Sequence, residues 1–159
     1  MLLRLLVILS VMCCRLAVAG NYYPIDGDSL EQNDERIRLD GIDAPELYQH
    51  CYSASGKEYA CGEQALQYLQ SLLSSGNVRC DCAEQKDIYH RRICECFAGE
   101  VSLNEAMVAA GWAMTYRDEK YAKSEQNAQL GKRGIWQGKF MRPALYRALE
   151  RIKQNANPL

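Results

Sequence analysis

The stretch Ile25–Glu46, "IDGDSLEQNDERIRLDGIDAPE", sets Asp26 and Asp28 at one end, Asp43 and Glu46 at the other, and Arg38 between them. Ile37 and Leu39 alternate with Arg36 and Arg38, the period-two pattern of a half-buried strand. The segments "PIDGDSL" and "ERIRLDGI" therefore read as two short strands around a polar turn, "EQND". Clustered carboxylates repel one another, so a cation must sit close to them. An EF-hand loop does not fit. Counted from Asp26, the fifth place is Leu30, the sixth is Glu31 where glycine is needed, and the twelfth is Ile37 where a bidentate Glu is needed. Asp28 and Asp43 can still form a hard-oxygen site if their strands converge. Pro45 biases Ala44 toward an extended backbone, which offers its carbonyl as a further oxygen. Taken singly, each of these acids also fits an ordinary loop residue.

Further along, "CGEQALQYLQSLLSSG" places Ala65, Leu66, Leu69, Leu72 and Leu73 on one helical stripe that stops near Gly76. "NVRCDCAE" and "RRICECFAG" read as strands separated by "QKDIYH". In "SLNEAMVAAG", Ser102 is the N-cap, Glu105 completes a capping box and Gly111 terminates the helix. "DEKYAKSEQNAQLGKRG" is a further helix ending near Gly131 or Gly134, and a basic amphipathic helix is expected in the tail, residues 137–159. Strands, a helix, a hairpin and then more helices describe an α+β domain around a small barrel. Trp112 and Trp136 are assigned to the core rather than to base stacking.

At the N-terminus, "MLLRLLVILSVMCCRLAVAG" has Arg4, a short apolar run and the small-residue site Ala17-Val18-Ala19, so residues 1–19 read as a secretory signal peptide. The run is shorter than the roughly 20 apolar residues a spanning helix needs. Cleavage would remove Arg4 and Arg15, leaving residues 20–159 as one domain with 17 basic against 20 acidic side chains, a net charge of −3. A chain of that balance has no general attraction for polyanions, so nucleic-acid affinity needs a local basic patch or a bound metal.

Six cysteines remain: Cys51, Cys61, Cys80, Cys82, Cys94 and Cys96. An even count in an exported chain favours disulfides over a zinc site built on "CDC", "CEC" and His90, because structural zinc sites use wider spacing. In an antiparallel hairpin, opposed residue numbers have a constant sum. Cys80 with Cys96 and Cys82 with Cys94 both give 176, so one register faces both pairs on the same side of the sheet. Opposed Cα atoms are expected at roughly 4.5–5.5 Å, within disulfide range. Cys51 and Cys61 then close their own loop.

"IDGDSL", "IRLDGIDAPE", "DIYHRR", "LNEAMVAAGWA" and "GIW", in this order from Ile25 to Trp136, resemble the staphylococcal nuclease-like (thermonuclease) family. The resemblance implies a five-stranded OB-type β-barrel with three helices, to which the tail helix is an addition. It implies an exported (periplasmic or secreted) calcium-dependent nuclease that hydrolyses DNA and RNA to 3′-phosphate ends. Separately, a monomer is expected, with no obligate protein partner and no membrane association after signal cleavage. By position, Asp28 and Asp43 match the calcium carboxylates and Ala44 the backbone oxygen donor. Glu46 matches the general base, Arg38 and Arg91 the phosphate-binding arginines, and Tyr89 a tyrosine beside the nucleotide, with Tyr116 a weaker substrate contact. Family members of this kind often carry cysteines matching Cys51, Cys61, Cys80 and Cys96, which makes Cys82–Cys94 an added rung. The chain departs from the pattern at His90 (usually glycine), at Ile88 (a lysine position), at Ser29 for threonine and at Pro24 in the first strand. Two rival readings are a nucleic-acid-binding barrel with a weak site and a secreted, calcium-stabilised structural protein.

Overall fold

In the computed structural model residues 21–156 are described, so the signal-peptide reading of residues 1–19 lies outside the described residues. The chain runs through β1 (Tyr23–Pro24), β2 (Ser29–Gln32), β3 (Glu35–Leu39), β4 (Ile42–Asp43), β5 (Cys51–Tyr52), β6 (Glu58–Tyr59) and α1 (Cys61–Leu73). It continues through β7 (Val78–Lys86), β8 (Arg92–Ala98), β9 (Val101–Ser102), α2 (Leu103–Ala109), β10 (Met114–Thr115), α3 (Ala122–Leu130), a 3-10 turn (Gly134–Gln137) and α4 (Pro143–Ala156). The class is α+β, as expected. Five strands in the order β1-β2-β3-β8-β7 form a curled half-barrel, with β9 paired to β8. Only the β3–β8 pairing in that sheet is parallel, and it sets Ile37 beside Arg92 and Arg38 beside Ile93. The tail helix is α4. Among the described residues, no helix is long and apolar enough to cross a membrane.

The first expected strand is not continuous. β1 stops at Pro24, the chain bends through Asp26–Asp28, and β2 begins at Ser29 and runs on to Gln32. The cause is local. The Asp26 carboxylate accepts the Asp28 N–H at 2.9 Å, a side-chain turn that competes with extended pairing. Gly27 allows the bend to lie flat, because a Cβ there would stand 2.7 Å from the Ala44 Cβ and 2.8 Å from the Ala65 Cβ. The turn between β2 and β3 is consequently shorter than "EQND": Asn33 and Asp34 make it, at φ 50° and 63°, a conformation these two residues tolerate well.

The core draws Leu30, Ile37, Leu39 and Ile42 from the strands, Ala65 and Leu69 from α1, and Leu103, Met107 and Val108 from α2. Each large apolar side chain so buried contributes about 1.5–3 kcal/mol. α2 begins as the sequence indicates, with the Glu105 N–H donating to Ser102 Oγ at 3.3 Å and Gly111 at φ 78° beyond its end. The Glu105 carboxylate instead accepts from Ser124 Oγ on α3. Buried Asn104 ties α2 to the barrel, accepting from the Cys96 N–H and donating to the carbonyls of Asp40 and Cys94. Both tryptophans pack against core clusters.

The hairpin has the register expected from the cysteines: Cys80 faces Cys96 and Cys82 faces Cys94, both bridged, and Cys51 is bridged to Cys61. The Cα atoms of the two hairpin pairs lie 4.0 Å apart, closer than expected. Beyond Cys82 the register shifts before Lys86 meets Arg92.

Candidate active site

Pairing of β2 with β3 sets Ser29 opposite Arg38, which brings the last residue of the Asp26–Asp28 bend onto that arginine. Asp28 is buried. One of its oxygens pairs with Arg38 Nη1 and accepts from Ser29 Oγ, and the other accepts the Ala44 N–H at 2.7 Å. Arg38 Nη2 donates to the Ile42 carbonyl at 2.8 Å and to Asp43 Oδ1 at 3.2 Å. The guanidinium therefore joins the two aspartates that the sequence placed fifteen positions apart. Burial works against its charge, but Asp28 and Asp43 outweigh burial and raise its pKa.

Burial also raises Asp43, opposed by the Arg147 and Arg38 guanidiniums. Burial and the neighbouring Asp28 push the Asp26 carboxyl up to about 6.

Glu46 follows Pro45 in a turn whose Gln49 N–H donates to the Glu46 carbonyl. The buried Gln49 side chain accepts the Glu46 N–H at 3.2 Å and donates to the Met141 carbonyl at 2.6 Å. This turn lies directly against α1. A Cβ on Gly62 would stand 1.8 Å from the Glu46 carbonyl oxygen, so only glycine permits that approach. The Glu46 side chain is one-third exposed and reaches Arg147 Nη1 at 2.7 Å.

Arg147 is the residue that sequence reasoning missed. It projects from α4 and donates to Asp43 Oδ1 at 2.9 Å, Asp43 Oδ2 at 3.2 Å and Glu46 Oε1. Burial would lower its pKa, but Asp43 and Glu46 raise it well above the usual arginine value. No local motif marks it. The only sequence signal was an arginine within a basic amphipathic helix.

Arg91 is held at the base of the β7–β8 turn. Asp87 accepts from its backbone N–H at 2.9 Å and from Nε at 2.8 Å, and pairs with Nη2 at 2.8 Å. Slight burial raises Asp87, but the bonds from Arg91 and the Tyr89 N–H prevail and hold it below its ordinary value. Among the described residues, Arg91 makes no hydrogen bond or ion pair to Asp28, Asp43 or Glu46. Its guanidinium lies 5.3 Å from the Tyr89 ring centre. His90 does take a positive φ, 61°, and Ile88 and Tyr89 are exposed. Tyr116 follows β10, which pairs Met114 with Asp43, and its N–H donates to the Gly41 carbonyl.

Among the described residues, no three His, Cys, Asp or Glu side chains are grouped as a metal cage. The donor chemistry nevertheless suits a hard cation. Asp26, Asp28 and Asp43 carry hard carboxylate oxygens of the kind that calcium takes. Here the positive charge on Asp28 and Asp43 comes from Arg38 and Arg147.

Residues 36–138 match the family model described as staphylococcal nuclease homologue. The chain belongs to that family. Among related proteins, the succinoglycan biosynthesis protein ExoI of Rhizobium meliloti (strain 1021) is 33% identical over 124 residues, covering 75% of this chain and 64% of that protein. The probable endonuclease LCL3 of Schizophyllum commune (strain H4-8 / FGSC 9210) is 29% identical over 128 residues, covering 67% of this chain and 42% of that protein. The chain thus spans less than two thirds of either relative. The staphylococcal nuclease match stops at residue 138, so α4 and Arg147 lie beyond it.

Proposed function

We propose that this member of the staphylococcal nuclease family is an exported, calcium-dependent nuclease that hydrolyses DNA, RNA or both and leaves 3′-phosphate ends. The observation that carries the reading is the convergence of Asp28, Arg38, Asp43 and Glu46 from separate segments. Asp28, Asp43 and the Ala44 carbonyl would hold calcium. When bound, calcium supplies a Lewis acid that neutralises charge on the phosphoryl oxygens. Glu46, open to solvent on one side, takes a proton from the attacking water. Arg38, fixed by Asp28 and Asp43, and Arg91, fixed by Asp87, stabilise the charge that develops on the phosphate. Tyr89 and Tyr116 contact the nucleotide. The three disulfides suit an oxidising compartment.

A second reading, binding without cleavage, has one observation in its favour: Arg147 covers both Asp43 and Glu46. One experiment separates the two. Mature protein is incubated with single-stranded DNA and with RNA, in calcium or in chelator, and product ends are tested with a 3′-phosphatase. Cleavage confined to the calcium arm, with phosphatase-sensitive ends, is expected. Cleavage undiminished by chelator overturns the mechanism, and binding without products in calcium leaves the second reading.

A further inference from the structure

A groove of about 730 Å³ lies between the segment after Glu46 and α4, with Phe140, Met141 and Leu145 in its lining. Tyr48, His50 and Tyr52 line one wall, and Tyr146, Lys139 and Lys153 lie along the other. Its lining residues neighbour the acidic cluster along the chain. Tyr48 is two residues from Glu46, Tyr146 is next to Arg147, and the Tyr146 hydroxyl donates to the Tyr48 carbonyl at 3.4 Å. Tyr48 is 78% exposed and Tyr52 47%, a large aromatic area to leave in water beside a polar site.

We infer that this groove is a subsite for single-stranded nucleic acid, taking unstacked bases on its tyrosines as the strand leaves the scissile phosphate. The inference rests on the nuclease reading above. Three observations select this occupant. Tyrosine faces with a polar rim suit base stacking, which tolerates any base. Charge is complementary: Lys139 and Lys153 line the groove against the single carboxylate of Glu150, within a chain of net charge −1. Lys153 is partly engaged by Glu150 at 2.7 Å, whereas the Lys139 backbone is fixed on Tyr52 by a pair of hydrogen bonds, which holds its stem at the groove wall. The groove also adjoins the site that would hold the phosphate, because the two segments that frame it meet again at the Arg147–Glu46 ion pair. A duplex keeps its bases paired and stacked, so it cannot use these faces.

The test compares Tyr48→Ala and Tyr146→Ala with Tyr48→Phe and Tyr146→Phe, each checked for an unchanged melting temperature. Steady-state kinetics are run on a single-stranded dodecamer and on a dinucleotide. Each alanine variant should lower the dodecamer-to-dinucleotide ratio of kcat/KM by about tenfold, and phenylalanine should restore it. Anisotropy titration of a labelled dodecamer in the Glu46→Gln background should show the same loss without any cleavage, and Lys139→Gln should reduce the salt slope of binding by about one. Equal losses on both substrate lengths, or none on either, would overturn the subsite. So would a dimer in sedimentation that Tyr48→Ala dissolves, since the groove would then seat a second copy. The two readings fail separately. A wild-type chain that cuts nothing but loses dodecamer binding in the tyrosine variants refutes only the nuclease, and a chain that cuts with indifferent tyrosines refutes only the groove.

Discussion

Asp43 carries two guanidinium groups, Arg38 on one oxygen and Arg147 on both, and Glu46 shares the second of these partners. A cation that binds Asp43 must therefore compete with a side chain already there. Arg147→Gln removes the competitor and keeps some of its bulk, so calcium affinity measured by calorimetry should rise about tenfold, or ~1.4 kcal/mol. Unchanged or weaker binding would show that Arg147 supports the site instead of occupying it. Glu46→Gln preserves shape but cannot accept a proton. Turnover should fall by about 10²-fold or more while calcium-dependent substrate binding persists; near wild-type rates would remove Glu46 from its proposed role. Asp87 gives a pH dependence of known sign. Its folded pKa lies below the ordinary 3.8, so its stabilising contribution is present above that value and is lost as pH falls through the lower folded one. Asp87→Asn should therefore flatten the stability curve below pH of about 4, as read by thermal melts across an acid series.

The β7–β8 hairpin carries two nested bridges, Cys80–Cys96 across 16 residues and Cys82–Cys94 across 12. Once either is closed, the other closes only a few further residues, so the unfolded chain loses little more freedom to the second. Replacing one pair with alanines should therefore lower unfolding free energy by much less than half of what replacing both does. Additive losses in urea titrations would contradict this. The hairpin was legible because strand pairing converts spacing directly into register, and its cysteines mark that register in the sequence. The α2 boundaries were legible for a similar reason, since Ser102 and Gly111 act within a turn of themselves. "PIDGDSL" misled because alternation cannot register a side chain that turns the backbone, as Asp26 does. The link from Glu46 to Arg147 spans 101 residues and depends on how α4 docks, which local pattern does not encode. Gln49 reaches Met141 across 92 residues and was missed on the same ground.

Across the whole molecule, a small acidic excess coexists with a basic α4 and two clusters of buried residues. The second cluster, around Cys51, Cys61, Met114 and Ile135, packs with Trp112, Trp136 and Phe140 and underlies the chain's passage into α4. The Cys51–Cys61 bridge in that cluster has a further consequence. It joins β5 to the first residue of α1, and the next residue, Gly62, presses on the Glu46 carbonyl. The proposed base is thus seated on a covalent link that the reducing interior of a cell would not maintain. Mild reductant should then lower activity before the far-ultraviolet spectrum changes, and simultaneous loss of both would refute the connection. On the proposed reading, the nuclease would stay poorly armed inside a reducing cell and be completed only in an oxidising compartment.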